Sequence, residues 1–310
     1  MSRIAIVGAS GFVGSHVADQ AQRRGHAVTR LRAPRLSGPA DADPAVRELA
    51  ATLAGHAVVV NCAGNPDASS GDSAALDAAN GVLPGVVGRA ADAAGVTRYV
   101  HVSSAVVQGR RVVLDSSEDV DPFSAYARSK IAGERAAVSG GPTQTVVYRP
   151  PSVHAADRRV TRQLSRIARS PLSSVAGHGD DPTPQTHIDD VASAIVFLAT
   201  CPIAPPRIVH HPAQGLTTAG LLRHLGGGRE PRRLPRKLSR AAMAGARGAA
   251  RLAPRLSPYA RRVEMTWFGQ AQAPSWLEQQ GWTPVTSDDT WRDLGRLLVD
   301  ETSTTTKGRR

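Results

Sequence analysis

Tyr126 and Lys130 lie four residues apart in a segment that reads as a helix, and their side chains can move a proton at a carbonyl or carbinol carbon. Residues four apart on a helix share a face, so this spacing places a phenol beside an ammonium group. A phenol titrates near a pKa of about 10, and a neighbouring cation favours the phenolate. The pair can therefore act as a general acid and base. The same spacing also occurs on ordinary surface helices, so the assignment of a catalytic pair depends on motifs elsewhere in the chain.

Two serines, Ser103 and Ser104, end a predicted strand over residues 99–105. The carboxyl ends of parallel strands form the crevice in which open α/β sheets bind ligands. A hydroxyl at that place can hydrogen-bond a substrate oxygen. Serines at strand ends also cap the following turn, so the strand leaves both interpretations open.

A glycine-rich turn opens the chain. Residues 3–7 form a short apolar run, and Gly8, Gly11 and Gly14 lead from it into a predicted helix that closes at Gly25. Glycines let the backbone turn tightly and approach a pyrophosphate, and the helix N-terminus offers unpaired N–H groups to it. The order of strand, glycine turn and helix favours dinucleotide binding over a merely flexible turn.

The second predicted strand, residues 27–31, ends without the acidic residue that would bind the adenosine ribose of NAD. Arg32 and Arg35 follow it instead. Arginine can grip a 2′-phosphate with two hydrogen bonds, which favours NADP(H) over NAD, with Arg32 as the first candidate. The alternative is that both are solvated loop residues.

Further motifs follow in a fixed order. They are Asn61-Cys62-Ala63-Gly64, Asn80, Val102-Ser103-Ser104-Ala105, Pro122 with Tyr126, Ser129 and Lys130, Arg149-Pro150, His187-Ile188-Asp189-Asp190-Val191-Ala192, and Gly281-Trp282-Thr283-Pro284. Together with the glycine turn, this order resembles the extended short-chain dehydrogenase/reductases of the NAD-dependent epimerase/dehydratase type, over nearly the whole chain.

The resemblance implies that Tyr126 is the general acid/base, that Lys130 lowers the pKa of its phenol while holding the nicotinamide ribose, and that Ser104 orients the substrate oxygen. The predicted cofactor-binding residues are Gly8, Ser10, Gly11, Phe12, Val13, Gly14, Arg32, Arg35, Ala63, Gly64, Ser103, Tyr126, Lys130 and Pro150. The expected cofactor is NADP, with NAD as the alternative.

The resemblance also implies the fold, an α/β architecture with a doubly wound, mostly parallel Rossmann sheet. The Rossmann core is expected over residues 1–150. A smaller mixed C-terminal substrate lobe is expected over 151–301, interleaved with the core by late strands and helices. Residues 302–310 lack apolar side chains and are predicted to be a disordered tail.

Some positions depart from the family pattern. Thr183 stands where many sugar-nucleotide enzymes of the family carry an arginine. In addition, no carboxylate follows Ser104, and this absence argues against a sugar dehydratase. The leading prediction is a ketoreductase or epimerase of a modified or nucleotide-linked sugar. The alternatives are a reductase of a hydrophobic ketone, similar to hydroxysteroid dehydrogenases and dihydroflavonol reductases, and a non-catalytic NADP-binding regulator.

The amino-acid composition limits the kinds of partner that the protein is expected to bind. Few aromatic residues, four each of Phe, Trp and Tyr, argue against a base-stacking surface and hence against nucleic acid. Cys62 and Cys201 lack metal-ligand spacing, so neither a metal nor a disulfide is expected. No apolar run suits membrane insertion, and the predicted location is the cytoplasm. A small-molecule substrate is the expected partner, and a homodimer is compatible with the sequence.

The net charge of +12 is unevenly placed, because residues 229–262 hold eleven Arg and Lys but one acid. Within this segment, residues 234–252 predict a basic amphipathic helix. Its apolar face is predicted to comprise Leu234, Leu238, Ala241, Gly245, Ala249 and Leu252. The expected role is a lid or flank of the substrate lobe that packs through these small residues, with binding to an anionic partner as the alternative.

Overall fold

The structure, a computed structural model, describes residues 1–67, 73–138, 140–253 and 257–307. The strands are β1 (Arg3–Val7), β2 (Ala27–Leu31), β3 (Val58–Asn61), β4 (Arg98–Val102), β5 (Val113–Leu114), β6 (Gln144–Arg149), β7 (Ser152–His154), β8 (Ser174–Ala176), β9 (Gln185–His187), β10 (Ile208–His210), β11 (Arg232–Leu234) and β12 (Ala271–Gln272). The α-helices are α1 (Phe12–Arg23), α2 (Ala42–Leu53), α3 (Ser73–Leu76), α4 (Leu83–Ala93), α5 (Ala125–Ala137), α6 (Arg159–Arg169), α7 (Ile188–Thr200), α8 (Thr218–Leu225), α9 (Arg236–Leu252), α10 (Ser257–Phe268), α11 (Trp276–Gln279) and α12 (Asp288–Lys307). Short 3-10 helices span Pro39–Asp41 and Ala105–Gln108, and a π-helix spans Asp77–Val82.

The chain divides into two compact units. Unit 1 comprises Met1–Pro151, Asp189–Pro212 and Pro274–Thr283, and unit 2 comprises Ser152–Ile188, Ala213–Ala273 and Pro284–Arg310. The first boundary falls one residue after the predicted limit at residue 150. Two later segments return to unit 1, so the units alternate along the sequence.

Unit 1 is built on a six-stranded sheet in the order β2-β1-β3-β4-β6-β10, and every neighbouring pair is parallel. All four residues of β3 are buried, as expected for a parallel strand covered on both faces. The strand order reverses at β1 and β3, where open α/β sheets bind ligands beyond the carboxyl ends of their strands. This confirms the predicted α/β class and Rossmann-type sheet.

Helices α2 and α4 cover one face of this sheet. Leu49 and Leu53 of α2 pack with Val87 of α4 against Val59 and Tyr99 of the central strands. The apolar faces of both helices are therefore buried against the sheet.

Unit 2 has short parallel strand pairs, β7 with β9 and β8 with β11. Its core comes from helices α8 and α12, in which Leu221, Leu222 and Leu225 pack with Trp291 and Leu298.

Helix α9 contradicts the predicted packing face. Leu238 and Leu252 of that face are 67% and 91% exposed. The side chains buried on this helix are Ser239, Met243 and Ala250. The predicted face is wrong because the packing of α10 against α9, rather than the apolar content of the wheel, selects which side is covered.

Residues 73–95 contain α3, the π-helix and α4 in succession, and Pro84 occupies the first turn of α4. Helix α12 continues to Lys307, over positions where a disordered tail is expected, because a packed helix extends one hydrogen bond at a time. Residues 308–310 lie outside the described part of the chain.

Candidate active site

The glycine turn after β1 is closed against two neighbouring strands. Gly8 has a φ of +81°, and the N–H groups of Gly8 and Ala9 donate to Leu31 O at 2.9 and 3.3 Å. A Cβ on Gly8 would lie 2.7 Å from Ala63 N, and one on Gly14 would lie 2.2 Å from Gly8 O. The turn therefore requires glycine at both positions, and it brings the predicted cofactor residues Gly8, Gly14 and Ala63 together.

Helix α1 begins directly after this turn, with Gly11 at its N-cap and no side chain capping it. No side-chain cap occupies this helix N-terminus, and the helix dipole adds positive potential there. Ser10 is exposed, while Phe12 and Val13 are half-buried. This geometry fits a dinucleotide pyrophosphate.

Arg32 directly follows the residue whose carbonyl binds the glycine turn. Arg32 and Arg35 are exposed, and neither pairs with a side chain in the described part of the chain. The neighbouring Arg30 is different, because its Nη2 donates to Asp19 Oδ1 at 2.6 Å. No acid occurs between residues 26 and 40. The loop after β2 therefore offers cations and no carboxylate.

Helix α5 carries both Tyr126 and Lys130. It begins after Ser124, whose hydroxyl accepts a hydrogen bond from Ala127 N at 3.1 Å. Tyr126 is half-buried, while Lys130 is 6% exposed and its Nζ donates to Val102 O at 3.3 Å. Val102 ends β4, two residues before Ser104, so the structure places Lys130 at the strand end that carries the predicted hydroxyl.

Ser104 caps the 3-10 helix that follows β4. Its Oγ accepts a hydrogen bond from Val106 N at 3.2 Å, which leaves its hydroxyl hydrogen available for donation. Both predicted roles, cap and donor to a substrate oxygen, are therefore compatible in one side chain.

Gly64 makes room for the ammonium group. A Cβ at Gly64 would lie 3.4 Å from Lys130 Nζ and 2.7 Å from Asn80 Oδ1. Asn80 lies in the π-helix, where its Nδ2 donates to Ser129 Oγ at 3.1 Å and its Oδ1 accepts from Asn65 N at 2.9 Å. Asn80 thus ties the turn after β3 to helix α5.

The surroundings of Lys130 set its charge. Burial lowers the pKa of Lys130 to about 8, and the nearby Glu134 carboxylate opposes this effect, as a Cys62 thiolate would. Burial also raises the pKa of the Cys62 thiol to about 12, so that group is neutral where Lys130 titrates. At neutral pH Lys130 is therefore mainly an ammonium ion.

Two predicted cofactor residues are already engaged in hydrogen bonds. The Ser103 hydroxyl donates to Glu134 Oε1 at 2.5 Å, and Pro150 O accepts from Ala105 N at 2.9 Å. Any cofactor contact of Ser103 must therefore use its backbone or the remaining lone pairs of its oxygen.

Glu134 and Arg149 form a buried ion pair that sequence reasoning missed. Arg149 Nε and Nη2 donate to Glu134 Oε1 and Oε2 at 2.9 and 2.7 Å. Arg149 belongs to a motif that the sequence shares with the family, but Glu134, four residues after Lys130, has the spacing of an ordinary ion pair on a helix surface.

Thr183 belongs to a buried polar cluster in unit 2. Gln185 Nε2 donates to Thr183 Oγ1 at 3.1 Å, and Gln185 Oε1 is 2.8 Å from His154 Nε2. Burial lowers the pKa of His154 to about 4, although the hydrogen bond that its Nε2 donates to Gln185 Oε1 raises it. This cluster is uncharged at neutral pH.

Within residues 1–67, 73–138, 140–253 and 257–307, no three His, Cys, Asp or Glu side chains are grouped to hold a metal ion. No helix in that part of the chain is both long and apolar enough to cross a bilayer.

The parallel sheet, the glycine turn and the Tyr126–Lys130 pair define a nicotinamide-dinucleotide enzyme with a Rossmann fold. The model of the NAD dependent epimerase/dehydratase family matches residues 4–209. A dTDP-4-dehydrorhamnose reductase of Mycobacterium tuberculosis is 30% identical over 234 residues, which cover 70% of this chain and 71% of the relative. The chain therefore belongs to the NAD-dependent epimerase/dehydratase family, and it is an NAD(P)-dependent enzyme, as the sequence predicts.

Solved structures share this fold at low sequence identity. MoeE5 in complex with UDP-glucose and NAD aligns with a TM-score of 0.67 and 19% identity, over 98% of this chain and 99% of that one. A dTDP-4-dehydrorhamnose reductase from Bacillus anthracis in complex with NADP aligns with a TM-score of 0.65 and 15% identity, over 97% and 99%. These neighbours bind either NAD or NADP, so they support a nicotinamide cofactor without selecting one.

Proposed function

We propose that the protein is an NADP(H)-dependent reductase or epimerase of a nucleotide-linked sugar. The observation that carries this proposal is the Tyr126–Lys130 pair, with its buried ammonium at the end of β4 and beside Gly64. The relatives named as dTDP-4-dehydrorhamnose reductases support a sugar nucleotide as substrate. The homodimer and the cytoplasmic location stay predictions from the sequence.

The proposed site moves one proton at one carbon–oxygen centre. When bound, the nicotinamide supplies or accepts the hydride. Tyr126 donates its phenolic proton to the substrate oxygen in reduction and recovers it in oxidation. The Lys130 ammonium stabilises the phenolate left on Tyr126, and Ser104 donates a hydrogen bond to the developing oxyanion.

The proposed cofactor is NADP(H), held through Arg32 and Arg35. Arg32 follows the strand end that binds the glycine turn, and neither arginine pairs with another side chain among the described residues. A 2′-phosphate supplies the acceptor that such a free guanidinium binds.

The cofactor proposal is tested by measuring NADPH and NADH affinity in Arg32→Gln. Loss of a charge-assisted hydrogen bond should weaken NADPH binding by about tenfold to hundredfold and leave NADH binding unchanged. Arg30→Gln is the matched control, because Arg30 already pairs with Asp19. Equal affinity of the wild-type protein for both cofactors would overturn the assignment to NADP(H).

A second candidate is a reductase of a hydrophobic ketone. Thr183 and the uncharged cluster of Gln185 and His154 favour it, because they give a pyrophosphate no cation at this position. Parallel assays with nucleotide sugars and with apolar ketones distinguish the two substrate classes.

The same assays separate a reductase from an epimerase. A reductase consumes NADPH in proportion to product, whereas an epimerase regenerates its cofactor.

A further inference from the structure

The ion pair of Glu134 and Arg149 is more deeply buried than most charges in proteins. Glu134 is 8% exposed and Arg149 is 1% exposed. Arg149 donates two hydrogen bonds to the Glu134 carboxylate, through Nε and Nη2. Its Nη1 also donates to Ser117 O at 2.7 Å. Removing two charges from water costs several kcal/mol, so a buried pair is weak evidence for stability alone. Its place in the fold points to another role.

The pair joins the elements that carry the proposed catalytic residues. Glu134 lies on α5, one turn after Lys130 and two turns after Tyr126. Its Oε1 accepts the hydroxyl hydrogen of Ser103, the residue before Ser104. Arg149 ends β6, the strand beside β4. One carboxylate therefore connects α5 to the carboxyl ends of both strands.

We propose that Glu134 is a positioning residue of the active site, which fixes helix α5 against the ends of β4 and β6 and places a carboxylate one helical turn from Lys130. The proton-transfer part of this inference rests on the proposed function. The electrostatic part concerns Lys130 alone and can be measured without a substrate.

The groups that face Lys130 leave Glu134 as its source of negative charge. Cys62, after β3, is a neutral thiol because burial raises its pKa to about 12. Burial and the Lys130 charge hold the pKa of His101, on β4, well below its usual value, so that ring is neutral too. Asn80, which lies beside Gly64 as Lys130 Nζ does, is uncharged, and Tyr126 is the proposed proton donor. Glu134 opposes the burial of Lys130.

The direction of the effect follows from these charges. Burial favours the neutral amine, and the Glu134 carboxylate favours the ammonium. Without the carboxylate, Lys130 should lose its proton at a lower pH. A smaller fraction of Lys130 would then be charged at neutral pH, and the Tyr126 phenolate would be less stabilised.

The lysine content makes the titration directly observable. The chain has three lysines, Lys130, Lys237 and Lys307, so a full-length protein with ¹³C-labelled lysine Cε gives three signals. Lys130→Met assigns the signal of Lys130. In the wild-type protein this signal should titrate near a pKa of about 8.

Glu134→Gln should lower the titration midpoint of Lys130 by about one pH unit. Arg135→Gln is the matched control, because this exposed neighbour on the same helix also changes the charge by one, and its midpoint should stay at the wild-type value. Glu134→Asp keeps the negative charge, so its titration midpoint should stay close to the wild-type value. An unchanged midpoint in folded Glu134→Gln would overturn the proposal.

The buried Arg149 could prevent Glu134→Gln from folding, because it would lose its partner. The double variant Glu134→Gln with Arg149→Met removes both charges and keeps the test open. Loss of the Arg149 positive charge acts in the opposite direction, so the downward shift of the Lys130 pKa should be smaller than in Glu134→Gln, and an unchanged or raised pKa would overturn the proposal. Failure to find a substrate would contradict the proposed function and leave this titration unaffected.

Discussion

At the residue scale, the chemistry depends on where backbone and side chains leave space. Gly8, Gly14 and Gly64 each face an atom that a Cβ would meet at 2.7 Å or less. The glycine turn and the shared helix face of Tyr126 and Lys130 could be predicted from the sequence, because both depend on residues close together in the chain. The partnership of Glu134 with Arg149 could not, since it depends on how α5 meets β6.

Gly14→Ala should abolish cofactor binding. Its Cβ would lie 2.2 Å from the Gly8 carbonyl oxygen, so the turn would have to open, at a cost of about 1–3 kcal/mol in the free energy of unfolding. Isothermal titration with NADPH and thermal unfolding measure the two effects. Gly248→Ala, with nothing within 4 Å of its Cβ, is the control and should stabilise helix α9 by about 0.5–1 kcal/mol. Normal cofactor binding by Gly14→Ala would contradict this account of the turn.

At the element scale, apolar patterning predicts the central strands and the main helices, but it does not predict the buried side of a weakly patterned helix. Strands β1 and β3 consist mostly of apolar residues, which predicts a parallel sheet covered on both faces. Helix α9 consists mainly of Ala, Arg and Gly with few large apolar residues. Its wheel therefore predicts two faces, but tertiary packing buries Met243 and leaves Leu238 exposed.

The corrected orientation of α9 predicts unequal effects of two truncations. Met243 is 3% exposed, so Met243→Ala should lower the free energy of unfolding by about 2–5 kcal/mol. Leu238→Ala, at an exposed position, should change it by less than about 0.5 kcal/mol. Denaturant unfolding of both variants measures the difference. A larger loss for Leu238→Ala would restore the face predicted from the wheel.

At the scale of the whole molecule, the net charge belongs to one unit. Unit 1 contains 16 Lys and Arg and 16 Asp and Glu, whereas unit 2 contains 22 and 10. The whole surplus of +12 is therefore carried by unit 2. The sequence predicts a local excess at residues 229–262, but the balance of each unit emerges only when the alternating segments are assigned to it.

This charge distribution predicts salt-dependent capture of anionic substrates. A cationic surface raises the encounter rate with an anion, and salt screens that attraction. With a nucleotide sugar as substrate, kcat/KM should fall as NaCl is added, while kcat stays constant. Steady-state kinetics over a salt series tests this expectation. A kcat/KM independent of salt would show that the excess charge plays no part in substrate capture.

The most direct test of the central claim is the rate of NADPH-linked turnover in Tyr126→Phe. Phenylalanine keeps the ring and removes the proton donor, so with a nucleotide-linked keto sugar kcat should fall by about 10²–10⁴-fold. Thermal stability should remain close to that of the wild-type protein. A folded Tyr126→Phe protein that turns over at the wild-type rate would contradict the assignment of Tyr126 as the general acid/base.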